Sequence, residues 1–253
     1  MGPHSLTPTQ RFSDRVDNYA KYRPTYPPAI VSYLRETIHL HRKHTIADIG
    51  SGTGIFSELF LRHGYSVIGV EPNEAMRQAG ETHLGHNAHF SSREGTAEAT
   101  GLTGKSIDLI TVAQAFHWMQ PEPTKIEFNR ILKEDGHTLL VWNLRLTDTP
   151  FLKGLDDLKS EIGQHYEAIR GSHADEAVIR PFFSPKAVTI KSFRHAQILD
   201  FEGLKGQLLS SSYMPLEGAP GYEEMISRLE DLFQRYNENG QVNMEYETKL
   251  FLG

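Results

Sequence analysis

The sequence contains no cysteine, which excludes disulfide bonds, zinc–thiolate sites, redox pairs and cysteine nucleophiles. It also lacks an apolar run long enough to span a membrane, and residues 1–12 lack the basic, apolar and small-residue pattern of a signal peptide. These absences are compatible with a reducing compartment. We therefore expect a soluble, cytoplasmic protein with no membrane partner.

Neither sign of charge is concentrated in one stretch of the chain. The formal net charge is −6, with 26 Lys and Arg residues scattered among 32 Asp and Glu residues. This distribution disfavours nucleic acid as the partner. Internal repeats and low-complexity tracts are absent as well, which disfavours a periodic architecture. At 253 residues the chain can bury a core without a metal or a disulfide.

Two groups of three histidines suggest a metal site at first sight. The first group, within residues 39–44, includes Arg42 and Lys43, which would repel a cation. The second group lies within residues 83–89, and neither group has a neighbouring carboxylate in the sequence to complete a closed site. We expect both groups to be surface residues and predict no metal site.

Strand and helix patterns alternate through the first part of the chain. Helical spacing at residues 11–23 and 29–40 comes first. Short apolar strands then follow at residues 45–49, 65–70, 88–91, 107–112 and 137–144, separated by helices at residues 53–62, 73–84 and 121–132. Such alternation predicts a parallel sheet covered on both faces.

The alternation weakens beyond residue 147. Helices are predicted at residues 151–169, 201–211 and 222–236, and strands at residues 188–199 and 242–252. We therefore predict an α/β fold, with a Rossmann-like, seven-stranded, mostly parallel sheet. It would have an antiparallel edge strand, helices on both faces and a helical lid.

The motif ADIGSGTG at residues 47–54 joins the first strand to a helix. A glycine-rich turn at this place lets the backbone approach a nucleotide closely. The dinucleotide fingerprint needs a third glycine at its sixth position. Counted from Gly50 that position is Ile55, and Gly54 comes one place too early. The carboxylate of Asp48 can hold loop amides or meet a cationic ligand, but it would repel a pyrophosphate; a plain cap of the turn is the alternative.

Two acidic segments follow in register with the glycine turn. Glu71 ends the second predicted strand, where a carboxylate can accept both ribose hydroxyls of NAD or of S-adenosylmethionine. The segment REGTAEATGL carries amides near Thr96 and Ala97 and the carboxylate of Glu98, which are suited to an adenine edge. Taken alone, that segment is more typical of a polar loop.

The motifs ADIGSGTGIFS, VEPNEAMR, EGTAEAT and IDLITVAQAFHWM, in this order and spacing, resemble those of class I S-adenosylmethionine-dependent methyltransferases. AQAFHWM together with RVDNYAKYRPTYP resembles the small-molecule branch that includes trans-aconitate methyltransferase-like carboxyl O-methyltransferases. The resemblance covers about residues 11–146. It implies S-adenosyl-L-methionine as cofactor and a small-molecule substrate.

The resemblance also implies roles for single residues and regions. It implies a helical cap over the cofactor site in residues 1–40, a cofactor-binding core in residues 41–146, and a substrate lid with the last two strands in residues 147–253. His117 and Trp118 would face the transferable methyl group. The methionine, ribose and adenine parts of the cofactor would contact Asp48, Gly50, Ser51, Gly52, Gly54, Glu71, Pro72, Asn73, Met76, Thr96, Ala97, Glu98, Ala113 and Gln114.

The first helical segment carries an aromatic cluster with one arginine. Aromatic rings can contact a sulfonium by cation–π attraction, and Arg23 can pair with a carboxylate of cofactor or substrate. We expect Tyr19 and Arg23 to contact the cofactor, and Tyr22 and Tyr26 to contact the substrate. The same spacing is also typical of core residues.

Methyl transfer from a sulfonium is an in-line displacement, for which the protein mainly aligns the nucleophile and excludes water. His117 is the candidate general base for a phenol or amine acceptor, whereas a carboxylate acceptor needs no base and would leave His117 a positioning role. We expect an oxygen acceptor, either a carboxylate or a hydroxyl. Four arginines could neutralise an acceptor carboxylate, although each alone is typical of a surface charge: Arg145, Arg170, Arg180 and Arg194.

Two other functions remain as alternatives. The first is an NAD(P)-dependent oxidoreductase of similar architecture, and the second is a non-catalytic nucleotide-binding protein. Methylation of a nucleic-acid base is disfavoured, because AQAFHW stands where such enzymes carry an Asn/Asp-Pro-Pro-Tyr type of motif.

Overall fold

The computed structural model describes residues 16–163, 166 and 175–253. Its helices are α1 (Val16–Tyr22), α2 (Ala29–Ile38), α3 (Ile55–Leu61), α4 (Glu74–Leu84), α5 (Pro121–Ile131), α6 (Pro150–Ile162), α7 (Glu176–Phe183), α8 (Phe201–Leu209) and α9 (Tyr222–Tyr236). Its strands are β1 (Thr45–Ile49), β2 (Ser66–Val70), β3 (Phe90–Arg93), β4 (Ile107–Ala113), β5 (Leu132–Arg145), β6 (Thr189–Leu199) and β7 (Val242–Leu252).

The seven strands form one sheet in the order β3-β2-β1-β4-β5-β7-β6. The first five strands are parallel, and β7 runs antiparallel to both β5 and β6. The predicted fold class is thus confirmed, with two antiparallel pairings at one side of the sheet. Because the strand order reverses between β1 and β4, their carboxyl ends form the crevice where ligands bind in open α/β sheets.

The central strands are apolar because helices cover both faces of the sheet. In β1, Ile46 and Ala47 are fully buried on opposite faces, and in β4 Leu109 and Ile110 repeat the arrangement. This burial holds the ends of β1 and β4 in fixed positions. Among the described residues, no helix is long and apolar enough to cross a bilayer.

Several predicted boundaries differ from the structure. Residues 133–136, which separate the predicted helix at 121–132 from the predicted strand at 137–144, lie within β5, which begins directly after α5. Ile107 pairs with Leu132, and Leu109 pairs with His137. Between these pairs β5 proceeds by five residues while β4 proceeds by two, and the extra residues form an irregularity in β5. β3 occupies residues 90–93 rather than 88–91, and α6 ends at Ile162 rather than at residue 169. Residues 11–15 of the first predicted helix lie outside the described part of the chain.

Candidate functional site

The glycine turn between β1 and α3 is held tightly against its neighbours. The amides of Gly50 and Ser51 both donate to the carbonyl of Val70 at the end of β2, at 2.8 and 3.2 Å. Gly50 has φ +69°, a conformation that favours glycine. A Cβ on Gly50 would lie 2.8 Å from the Cβ of Ala115, which is closer than carbon atoms can approach. This position therefore accepts only glycine.

Gly54 serves a different purpose from the one expected. A Cβ at this position would collide with the side chain of Leu84 in α4. Gly54 does not border the cavity beside the glycine turn, whereas Ile55 does. The predicted contact between Gly54 and the methionine part of the cofactor is therefore not what the geometry favours. Gly54 instead provides the close packing that the dinucleotide fingerprint assigns to its sixth position.

Asp48 is a fully buried carboxylate at the end of β1. Its Oδ2 accepts a hydrogen bond from the Ser57 hydroxyl at 2.7 Å, and its Oδ1 accepts one from the Thr111 hydroxyl at 2.8 Å. Burial raises the pKa of Asp48 to about 6, although the Ser57 and Thr111 hydrogen bonds act in the opposite direction. The carboxylate is therefore rigidly oriented and changes charge near neutral pH.

Glu71 connects the glycine turn to the end of β2. Its Oε2 accepts a hydrogen bond from the Gly52 amide at 2.9 Å, and its Oε1 accepts one from the Asn73 amide at 2.8 Å. Burial raises the pKa of this carboxyl group, while the two amides work to lower it. Each carboxylate oxygen retains a second lone pair, so Glu71 can still accept hydroxyl hydrogen bonds from a ribose.

The residues predicted for the adenine edge have structural partners of their own. The Asn73 side chain caps α4 by accepting from the Met76 amide at 3.0 Å. Glu98 accepts from the Gln120 amide at 2.9 Å, at the first turn of α5. Burial opposes ionisation of Glu98, but this amide contributes to lowering its pKa. Glu98 thus also supports the start of α5, and its contact with an adenine stays a prediction.

Two adjoining cavities open at the carboxyl ends of the central strands. The smaller, which we call the glycine-loop cavity, has a volume of about 50 Å³, and the larger, the acceptor cavity, about 410 Å³. The predicted residues Asp48, Gly50, Ser51, Gly52 and Ala113 line the first. The predicted residues Glu71, Pro72, Asn73, Met76, Thr96, Ala97 and Glu98 line neither, although Glu71 accepts from the amide of Gly52, which lines the first.

The two cavities share one wall, formed by Tyr19, Arg23, Pro24, Gln114 and Asn143. The side-chain amide of Gln114 donates from Nε2 to the backbone carbonyl of Asn143 at 3.1 Å. The Asn143 side chain donates to the Thr25 carbonyl at 3.1 Å and accepts from the Thr248 hydroxyl at 2.6 Å. Sequence reasoning missed Asn143 and Pro24. Asn143 could have been found from its place near the carboxyl end of β5, because the same rule selected Gln114, which directly follows β4.

The tyrosines of the N-terminal segment are placed differently from the expectation. Tyr22 lies outside both cavities, with its ring against Gly206 of α8 and its carbonyl accepting from Gln197 at 3.3 Å. Tyr26 lines the glycine-loop cavity instead of the acceptor cavity, edge to face with Phe56 at 4.6 Å between ring centroids. Tyr22 ends α1 and Tyr26 lies beyond it, so helical spacing did not predict which of them faces a cavity.

The contact between Tyr22 and Gly206 fixes α1 over the site, and Gly206→Ala tests it. A Cβ on Gly206 would overlap the Tyr22 ring. Although alanine favours a helix by about 1 kcal/mol, we expect the variant to lose roughly 1 to 3 kcal/mol of unfolding free energy in urea titrations. Combining it with Tyr22→Ala is expected to cost less than the sum of the single changes. A Gly206→Ala protein as stable as the wild type would show that α1 does not rest on α8.

His117 and Trp118 lie on a short 3₁₀ helix (Phe116–Trp118) after β4 and line the acceptor cavity, with ring centroids 4.6 Å apart. Arg145, at the end of β5, lines the same cavity, and its Nε is inaccessible to solvent. The interpretation of Arg145 as a surface charge is therefore wrong. Arg180 and Arg194 are surface charges as expected: both are exposed. Arg180 pairs with Glu176 at 2.8 Å, and Arg194 pairs with Asp148 at 3.9 Å. Arg170 lies outside the described residues.

Comparison with known sequences agrees with this geometry. Residues 47–140 match the model of the methyltransferase domain. An uncharacterized methyltransferase of Mycobacterium bovis is 30% identical over 159 residues, which cover 63% of this chain and 61% of the relative. An uncharacterized methyltransferase of Schizosaccharomyces pombe is 28% identical over 148 residues, 58% of each chain. The chain thus spans about three fifths of the length of these curated relatives.

Solved structures share the fold at lower sequence identity. A protein of Anaeromyxobacter dehalogenans described as a type II methyltransferase superposes with a TM-score of 0.67 at 20% identity, covering 92% of this chain and 97% of the other. An S-adenosylmethionine-dependent methyltransferase of Aquifex aeolicus gives 0.51 at 12% identity, covering 74% and 92%. These likenesses concern the fold, and the domain match favours methyl transfer over hydride transfer.

Proposed function

We propose that this chain, which contains an S-adenosylmethionine-dependent methyltransferase domain in residues 47–140, transfers a methyl group to an oxygen of a small-molecule acceptor. S-adenosyl-L-methionine is the cofactor of that domain. The observation that carries the proposal is the wall shared by the glycine-loop cavity and the acceptor cavity. A donor on one side and an acceptor on the other would meet at this wall, beside Gln114 and Arg23.

The residues around the glycine-loop cavity fit the cofactor. Gly50 and Gly52 line the cavity with backbone alone, and the buried Asp48 offers a carboxylate to an ammonium group. Glu71 keeps two lone pairs for ribose hydroxyls, and Arg23 can pair with the cofactor carboxylate. When bound, S-adenosylmethionine supplies a methyl group already activated by the positive charge on sulfur.

On the acceptor side, the protein's task is to orient an oxygen and to exclude water. We assign His117 and Trp118 to contacts with the acceptor, because both line the acceptor cavity next to Gln114. A carboxylate acceptor, as in the trans-aconitate methyltransferase-like branch that the motifs resemble, leaves His117 a positioning role. A hydroxyl acceptor would use it as a general base.

Incubation with S-adenosylmethionine labelled on its methyl carbon, followed by mass spectrometry of a panel of acids and alcohols, tests the activity. The expected result is a product carrying the labelled methyl group on oxygen. Binding of S-adenosylhomocysteine without any labelled product across the panel would favour a non-catalytic nucleotide-binding protein. Transfer to a nitrogen or a carbon would reject the oxygen acceptor but retain the methyltransferase.

The charge of Asp48 predicts a pH dependence of cofactor binding. With a pKa of about 6, Asp48 is about nine tenths ionised at pH 7 and about one tenth ionised at pH 5. The amino group of S-adenosylhomocysteine stays protonated in this range, so its affinity is expected to fall about five- to tenfold from pH 7 to pH 5. Calorimetric titration at each pH measures this change.

The variant Asp48→Asn keeps the side-chain shape and removes the titration. Its affinity should vary less between pH 5 and pH 7, and the remaining variation would come from Glu71, whose pKa is also raised by burial. A wild-type affinity that does not change over this range would reject Asp48 as the partner of the ammonium group.

A further inference from the structure

The acceptor cavity contains two guanidinium groups with unused donors. Both Arg23 and Arg145 line it, and the Nε atom of each is buried without a hydrogen-bond partner among the described residues. A buried N–H without a partner is costly, and native structures rarely retain one without a reason. Arg23 also donates from Nη2 to the Ser210 carbonyl at 3.1 Å, and Arg145 lies beside the side chain of Tyr246. An acceptor atom from a ligand would satisfy these donors.

Among the described residues that line the acceptor cavity, positive and negative charges do not balance. Asp156 is the one carboxylate among the described residues that line it, and the Tyr166 hydroxyl donates to its Oδ1 at 2.5 Å. Burial by itself lowers the pKa of Arg145, but Tyr213, Tyr246 and other neighbours raise it, with a net upward shift. The Arg145 guanidinium therefore stays charged, and two cations face one carboxylate.

A third basic group reports the same positive field. Lys159 of α6 is buried, with 1% of its surface exposed. Burial lowers its pKa well below the usual value, and the charges of Arg145 and Arg23 lower it further. Asp156 acts in the opposite direction without offsetting these effects, so the positive charges of Arg145 and Arg23 extend to Lys159.

We propose that Arg145 forms a subsite for a carboxylate of the acceptor, distinct from the oxygen that is methylated. Arg145 lines only the acceptor cavity, whereas Arg23 and Gln114 lie in the wall shared with the glycine-loop cavity. A group held by Arg145 is therefore not the group at the shared wall. A guanidinium presents two parallel donors that match a carboxylate. The acceptor is accordingly a bifunctional acid, with a nucleophilic oxygen at one end and a carboxylate at the other.

This inference rests on the proposed function, since it assumes that the acceptor cavity receives the methyl acceptor. The test uses matched pairs of acids and neutral amides: glutarate and glutaramide, 4-hydroxyphenylacetate and 4-hydroxyphenylacetamide, and 4-hydroxybutyrate and 4-hydroxybutyramide. Each is titrated into protein saturated with S-adenosylhomocysteine, and the intrinsic tryptophan fluorescence, to which Trp118 in the cavity wall contributes, reports binding. At least one acid is expected to bind about tenfold or more tightly than its amide.

The variant Arg145→Gln should remove the preference for the acid, weakening it about ten- to a hundredfold and leaving the amide nearly unchanged. Arg145→Lys keeps the charge without the paired donors and should be intermediate. Arg194→Gln, an exposed arginine on β6, is the matched control and should keep the wild-type preference.

Three results would overturn the subsite: acids and amides that bind alike, no binding of any acid, or a preference that survives in Arg145→Gln. The affinity for S-adenosylhomocysteine and the melting temperature, measured on the same samples, distinguish failure of the subsite from failure of the proposed function. A wild-type protein that does not bind S-adenosylhomocysteine would reject the proposed function itself. If Arg145→Gln does not fold, the comparison of acid with amide in the wild-type protein still tests the subsite.

Discussion

Replacing Gly50 with alanine is expected to abolish measurable binding of S-adenosylhomocysteine and to lower the free energy of unfolding by roughly 2 to 4 kcal/mol. Two effects add. The residue would keep a positive φ that disfavours any side chain, and its Cβ would lie 2.8 Å from the Cβ of Ala115. Relief of this contact requires the turn or Ala115 to move, and a shift of the turn would strain its hydrogen bonds to the carbonyl of Val70.

Gly218→Ala is the control for this change. Gly218 also has a positive φ, +81°, but a Cβ at this position would have no atom within 4 Å. The variant should therefore lose only about 1 kcal/mol through backbone strain and keep its affinity for S-adenosylhomocysteine. Equal effects of the two substitutions would mean that backbone strain, and not the fit of the glycine turn, determines the outcome. Calorimetry and urea unfolding measure both quantities.

The second large effect is expected for Glu71→Ala. We expect the affinity for S-adenosylhomocysteine to fall by about 1.5 to 3 kcal/mol, the range for hydrogen bonds to a charged group. The structure adds a consequence for stability, because the amides of Gly52 and Asn73 would lose the carboxylate that accepts from them. Each buried amide left without a partner costs about 1 to 3 kcal/mol, so the unfolding free energy should fall as well.

Glu74→Ala provides the comparison for this prediction. Glu74 has the same charge and lies in the first turn of α4, three residues away, but it is exposed. Its removal should change affinity and stability by less than about 0.5 kcal/mol. If Glu71→Ala bound S-adenosylhomocysteine as tightly as Glu74→Ala, the ribose would have to be held elsewhere.

The order of the central elements was predictable because buried parallel strands are short apolar runs. IADI and IDLITV are mostly apolar on both faces, because helices cover both faces of these strands. The positions of Asp48 and Glu71 at strand ends followed from the same pattern. Their hydrogen bonds did not, because Thr111 and Ser57 reach Asp48 from two other elements.

Contacts between distant segments account for what the sequence did not predict. Tyr22 packs against Gly206 and Glu98 caps α5 through Gln120, and periodicity along one segment contains no information about either partner. Arg145 resembles any other arginine in sequence. It becomes a cavity residue because β5 lies beside β4 and ends at the same edge of the sheet.

The central claim is that the glycine turn binds a sulfur nucleoside rather than a dinucleotide. Calorimetric titration of the wild-type protein with S-adenosylhomocysteine and, separately, with NADH tests it most directly. We predict saturable one-to-one binding of S-adenosylhomocysteine and no heat above dilution for NADH. Saturable binding of NADH with no response to S-adenosylhomocysteine would contradict the assignment and favour the oxidoreductase.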